Sequence, residues 1–206
     1  MTDEFDVDDG NRVANPAGDL ALIRAMMDAG RRRAGIDGAH MIIWGAILGI
    51  AFLVQYASAV GRLPELFIEI WMPAFLIGFP LSFWIGRRTS CEAERNNIAL
   101  AAYGTVWLAI GVVMTLYLIG GVSSGQFDGG TATLLACSLF GTAYFVVAKV
   151  TRLSWMYACA AGWWLFFFQV TMLPNIDSEI LLQMAGACFL LVLLPGLVLR
   201  RMAGKA

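Results

Sequence analysis

Glu69 lies about one turn inside a long apolar run and four residues after Glu65. An anion is costly to bury in a membrane-length segment, so an acid there is by default a candidate functional residue. Tyr117, Gln169 and Gln183 fall toward the same end of their own apolar runs. With Glu69 and the deeper aromatics Trp107 and Trp163, they define an expected outward-facing pocket for a lipid, a quinone or another apolar or weakly polar ligand. The competing reading makes Glu69 an interfacial carboxylate and the aromatics ordinary packing.

The other chemistry-bearing residues are sparse. His40 is the sole histidine. One chain cannot supply a bis-His haem site or a three-ligand zinc site from it, so a metal at His40 would require an oligomer. Cys91, Cys137, Cys159 and Cys188 show no close pairing, and three of them sit in apolar runs where a thiol behaves as a small hydrophobe. Their spacing suggests neither a disulfide framework nor a zinc site. Ser58, Ser82 and Ser138 have no His or Lys base nearby in sequence, and Walker A, GxGxxG and HExxH patterns are absent. No catalytic residue, resident metal or cofactor is expected.

These residues are carried by an unusually apolar chain. Of its 206 residues, 59% are hydrophobic and only 14% charged, with a mean hydropathy of +0.72. A soluble domain carries about 25% charged residues. Thirteen Phe, seven Trp and five Tyr also exclude a disordered chain. Six apolar stretches, about 39–60, 65–86, 97–119, 131–149, 153–173 and 179–199, approach the roughly 20 residues a helix needs to cross a bilayer. They lack the strict alternation of barrel strands. The expected fold is all-α: a polytopic membrane protein whose six transmembrane helices form three antiparallel hairpins, 1–2, 3–4 and 5–6.

Charge placement orients the spans. Arg12, Arg24, Arg31, Arg32, Arg33, Arg87, Arg88, Arg95, Lys149, Arg152, Arg200, Arg201 and Lys205 fall on one side, and Arg62 alone on the other. By the positive-inside rule both termini are cytoplasmic. The net charge is −1 and no basic domain exists, so nucleic acid is not an expected partner. Residues 1–18 read as an acidic disordered leader, 19–33 as a cytoplasmic amphipathic helix, 39–199 as the membrane domain and 200–206 as a basic tail. Leu20, Ile23 and Met27 share one helical face ahead of Arg31, Arg32 and Arg33. That face suits either the inner membrane surface or docking on protein.

Helix association in a bilayer relies on close packing, because lipid leaves no water to expel between helices. Gly45 and Gly49, Gly104 and Gly111, and Ala158 and Gly162 are the small-residue pairs expected to supply it. Pro73 and Pro80 free backbone carbonyls in span 2, and Pro195–Gly196 is expected to perturb the end of span 6.

The segment over 23–45, with Arg24, Met26, Met27, Arg31 and Arg32 leading to Trp44 and Gly45, resembles small uncharacterised bacterial six-helix inner-membrane proteins. The resemblance covers about a tenth of the chain. It implies a bacterial inner-membrane location and transfers no activity. The expected function is a non-enzymatic accessory, regulatory or scaffold subunit, working with membrane lipids and a protein partner or as a homo-oligomer. A small transporter or binding protein for an apolar ligand is the alternative.

Overall fold

The computed structural model describes residues 38–89, 98–173 and 178–203. They form α1 (Ala39–Ala59), α2 (Ile68–Thr89), α3 (Ile98–Ser124), α4 (Gly129–Thr151), α5 (Met156–Met172) and α6 (Glu179–Ala203). Five of these are long and apolar enough to cross a bilayer. The sixth, α5, is an apolar helix of 17 residues, or about 25 Å. The chain is a multi-pass helical membrane protein. The expected leader and amphipathic helix, with Leu20, Ile23, Met27 and Arg31–Arg33, lie outside the described residues, as do Cys91, Arg95 and Lys205. Residues 200–203, expected in the tail, instead continue α6.

The most extensive contacts join α4 to α5 and α1 to α6, with α3 on α4 and α2 on α1. Helix pairs 1–2 and 3–4, expected as hairpins, are in contact, but the expected 5–6 pair is replaced by a 1–6 pair. Helices 5 and 6 meet only lightly, whereas the first and last helices, distant in sequence, pack along their length. Short loops specify which helices follow one another, but surface complementarity decides which ones close up.

Two glycine-lined crossings explain the close pairs. On α1, a Cβ at Gly45 would stand 2.5 Å from the Leu193 nitrogen, and one at Gly49 would stand 2.6 Å from the Phe189 ring. Gly38, at φ +62°, abuts the Gly196 carbonyl. Residue numbers rise along α1 as they fall along α6, so the two run antiparallel. The same stretch of α6, Phe189–Leu193, widens into a π segment, and the Leu194 N–H donates to the Phe189 carbonyl. Pro195 has no N–H, and its ring would press on the Leu191 carbonyl in a regular α-helix. One wider turn just upstream relieves that clash and presents backbone to Gly45.

The α4–α5 contact uses small residues in the same way. Trp164 of α5 lies directly on Gly141 of α4, and Ala143, Ala148 and Ala160 on the two helices are buried. Around them Trp163, Tyr144, Met156 and Met184 are enclosed. α2 stays helical through both Pro73 and Pro80. It is held to α1 by two indole hydrogen bonds running in opposite directions. Trp44 Nε1 donates to Ser82 Oγ at 2.7 Å, and Trp71 Nε1 donates to Gln55 Oε1 at 2.9 Å.

Asp128 starts α4. Its Oδ2 accepts from the Thr131 hydroxyl at 2.6 Å and from the Thr131 backbone N–H at 2.7 Å. These bonds, the hydroxyl first, hold the carboxyl below its ordinary value of 3.8. A lowered native pKa means stability that is present above the unfolded value and lost as pH falls through the native one. Asp128→Ala is expected to cost about 1 kcal/mol at neutral pH, as loss of a helix cap does. The gap between the two proteins should narrow as pH drops below 3.8. Unfolding in detergent across that range measures it, and a pH-independent gap would exclude a role for the carboxylate.

Candidate functional site

The helices leave a recess of about 90 Å³ at the end opposite the basic residues. Its walls come from five helices. Phe52 and Gln55 stand on α1, Trp71 and Phe75 on α2, Met114 and Tyr117 on α3, Ala132 and Ala136 on α4, and Leu181 and Met184 on α6. Phe67 and Phe127, from the segments leading into α2 and α4, also line it and touch at 5.0 Å between ring centres. α2 packs along α1, and α3 along α4, without an extensive contact between α2 and α3. The recess lies where those two helices stand apart.

Its aromatic wall has a simple local origin. Phe67, Trp71, Phe75 and Phe79 follow one another at four-residue intervals, so a helix stacks them on one face. Adjacent ring centres are 6.5, 6.0 and 5.8 Å apart. Phe52 meets Trp71 edge-on at 5.0 Å. This four-residue period was the sequence signal for the site, and a search for membrane-buried charges passes over it.

Three polar side chains of the recess bond within the protein. Gln55 Oε1 accepts from Trp71, Tyr117 donates to the Asp128 carbonyl at 3.0 Å, and Thr133 donates to the Gly129 carbonyl at 2.9 Å. The lining therefore presents hydrocarbon and aromatic faces. Such a surface binds apolar groups by dispersion and shape and offers no acid–base pair.

Of the six residues expected to line a pocket, only Tyr117 lines this recess. Glu69 is exposed in the first turn of α2, where a carboxylate complements the positive end of the helix dipole. Gln169 and Gln183 are exposed and hydrogen-bond each other at 2.8 Å between α5 and α6. Trp163 is fully enclosed, and Trp107 packs at 5.7 Å on Phe140, which in turn lies 4.9 Å from Trp163. Those two tryptophans are linked through Phe140 in the core and do not wall an opening.

The packing residues divide similarly. Gly45, Gly49 and Gly162 face α6, the last against Leu191. Gly111 comes only within 3.9 Å of Phe79, while nothing approaches the Cβ position of Gly104 within 4 Å. Ala158 is exposed. The expected pairings of Gly104 with Gly111 and Ala158 with Gly162 thus each have one member off the interface, because equal spacing on a helix does not decide which face meets a neighbour.

The serines without an evident base have structural partners. Ser58 donates to the Pro64 carbonyl at 2.6 Å, Ser82 accepts from Trp44, and Ser138 donates to the Leu135 carbonyl at 2.9 Å. His40 Nε2 lies 4.0 Å from the Cβ position of Gly86, placing the imidazole beside α2. Among the described residues no group of three or more His, Cys, Asp or Glu side chains is arranged to hold a metal.

No family model, curated protein or solved structure matches the chain. Its functional reading therefore rests on its own geometry.

Proposed function

We propose that this chain is a non-enzymatic binding protein of the bacterial inner membrane, with both termini cytoplasmic, that holds an apolar chain in the aromatic recess. The ligand class is the hydrocarbon tail of a lipid, a quinone or a similar molecule. The observation that carries this reading is the recess between α2 and α3, whose lining is mostly aromatic and hydrocarbon side chains. At about 90 Å³ it is smaller than the roughly 300 Å³ of a whole-ligand pocket, so it accommodates part of a chain. The segregation of thirteen basic residues from Arg62 supports the orientation.

Ala132→Phe would fill the recess. It is expected to weaken binding of a short-chain quinone, read by tryptophan quenching in detergent, by about tenfold or more. Glu69→Gln should leave that binding unchanged. Equal quenching in wild type and folded Ala132→Phe would sink the assignment.

A second reading, an accessory or scaffold subunit, draws on the outer helices. α2 and α3 each pack extensively on one neighbour, and Leu76, Leu108 and Leu116 are about two-thirds exposed. Such faces suit a further transmembrane helix, from a partner or a second copy. Native mass spectrometry from mild detergent separates the readings: a defined heteromeric mass favours the subunit, and a small reproducible adduct on the isolated chain favours the ligand.

A further inference from the structure

At the opposite, basic end of the bundle, the turn from α4 to α5 borders a second, open recess of about 350 Å³, lined by Ala148, Lys149, Arg152, Ser154 and Tyr157. Lys149 and Arg152 bring two cations to it, and Ser154 brings a hydroxyl. All three side chains are exposed. Arg152 is also the one non-glycine residue with positive φ among the described residues, at 56°. A helix ending in the left-handed conformation ordinarily uses Gly or Asn there, because a Cβ crowds the following carbonyl oxygen. Here that position carries a guanidinium at the mouth of a polar recess.

A second observation lies along the same pair of helices. Tyr157, from the recess wall, packs edge-on against Phe145 at 5.3 Å, and Phe145 packs on Trp164 at 5.6 Å. All three rings are partly open to the surroundings. Trp164 can lie in the α4–α5 seam because Gly141 beneath it has no side chain. The rings therefore form a ladder that starts at the basic recess and runs into the apolar part of the bundle.

Charge at one end and an apolar track at the other match one kind of molecule. We infer that the α4–α5 seam binds an anionic phospholipid, its phosphate in the recess with Lys149, Arg152 and Ser154 and an acyl chain along Tyr157, Phe145 and Trp164. A soluble phosphate ester shares the headgroup chemistry but would leave the ladder unused. A zwitterionic lipid shares the chains but sets its own ammonium group against the two cations. The site is separate from the aromatic recess, and neither assignment depends on the other.

The test uses the full chain in phosphatidylcholine nanodiscs containing a minor fraction of phosphatidylglycerol, with retained lipid counted by native mass spectrometry. Preferential retention of one phosphatidylglycerol is expected. Lys149→Gln and Arg152→Asn should each reduce that preference about fivefold, and together about thirtyfold, as loss of one and two surface cations does. Asn is chosen because it tolerates the left-handed backbone, so the variant keeps the turn. Phe145→Leu should shorten retention without changing the preference for the anionic headgroup. Equal retention of both lipids by wild type would overturn the inference. So would an undiminished preference in the folded double variant, or glycerol phosphate binding as tightly as the lipid.

Discussion

Gly45→Ala should loosen α1 from α6 and lower stability by about 2–3 kcal/mol, the upper range for overpacking. The reason is where the new methyl would go. It would stand 2.5 Å from the Leu193 nitrogen and 2.8 Å from both its Cα and Cβ. Backbone cannot swing aside as a side chain can, so the helices must separate. The separation would forfeit dispersion contacts along the crossing, and those contacts supply much of helix association in a bilayer. Gly49→Ala should cost less, because the obstacle there is the Phe189 ring, which can turn. Gly104→Ala is the control. Nothing lies within 4 Å of that position, and Ala is better than Gly in a helix by about 0.5–1 kcal/mol. Unfolding titrations in mixed detergent give the order directly. If Gly45→Ala and Gly104→Ala behave alike, the α1–α6 crossing is not as drawn.

Trp163 should show the largest loss on truncation. Its side chain is fully enclosed, with the Phe140 ring centre 4.9 Å away. Trp163→Ala is expected to cost about 3 kcal/mol, the low end for a buried tryptophan. The low end applies because the reference state in a membrane is partly lipid, which leaves mainly the cavity and lost-dispersion terms. Trp163→Phe should behave differently. The indole N–H is buried without a hydrogen-bond partner among the described residues, so removing it deletes an uncompensated donor. That gain offsets part of the lost volume, and the Phe variant should stay within about 1 kcal/mol of wild type. The same unfolding assay decides. A Phe variant as unstable as the Ala variant would mean that the N–H has a partner, such as a buried water.

These two positions also mark how far the amino-acid sequence reaches. Six apolar runs with their charged punctuation were enough to place all six helices to within a few residues, because span length follows from bilayer thickness and helix rise. Gly45 and Gly49 were legible as a close-packing pair, but their partner was not. That partner is a π segment nearly 150 residues further on, shaped by Pro195.

The candidate site was the least legible feature. Polar residues near the ends of apolar runs suggested a pocket around Glu69, yet each found a local use: a helix dipole, a paired glutamine, a carbonyl. The recess is instead built from aromatic residues whose four-residue spacing in α2 is plain in the sequence, but whose opposite wall comes from four other helices. Which helices cross a bilayer depends on each segment's own hydrophobicity, so the chain alone determines it. Which faces meet depends on the fit of two distant surfaces, where lipid rewards close contact and not apolarity as such. That choice belongs to the tertiary structure.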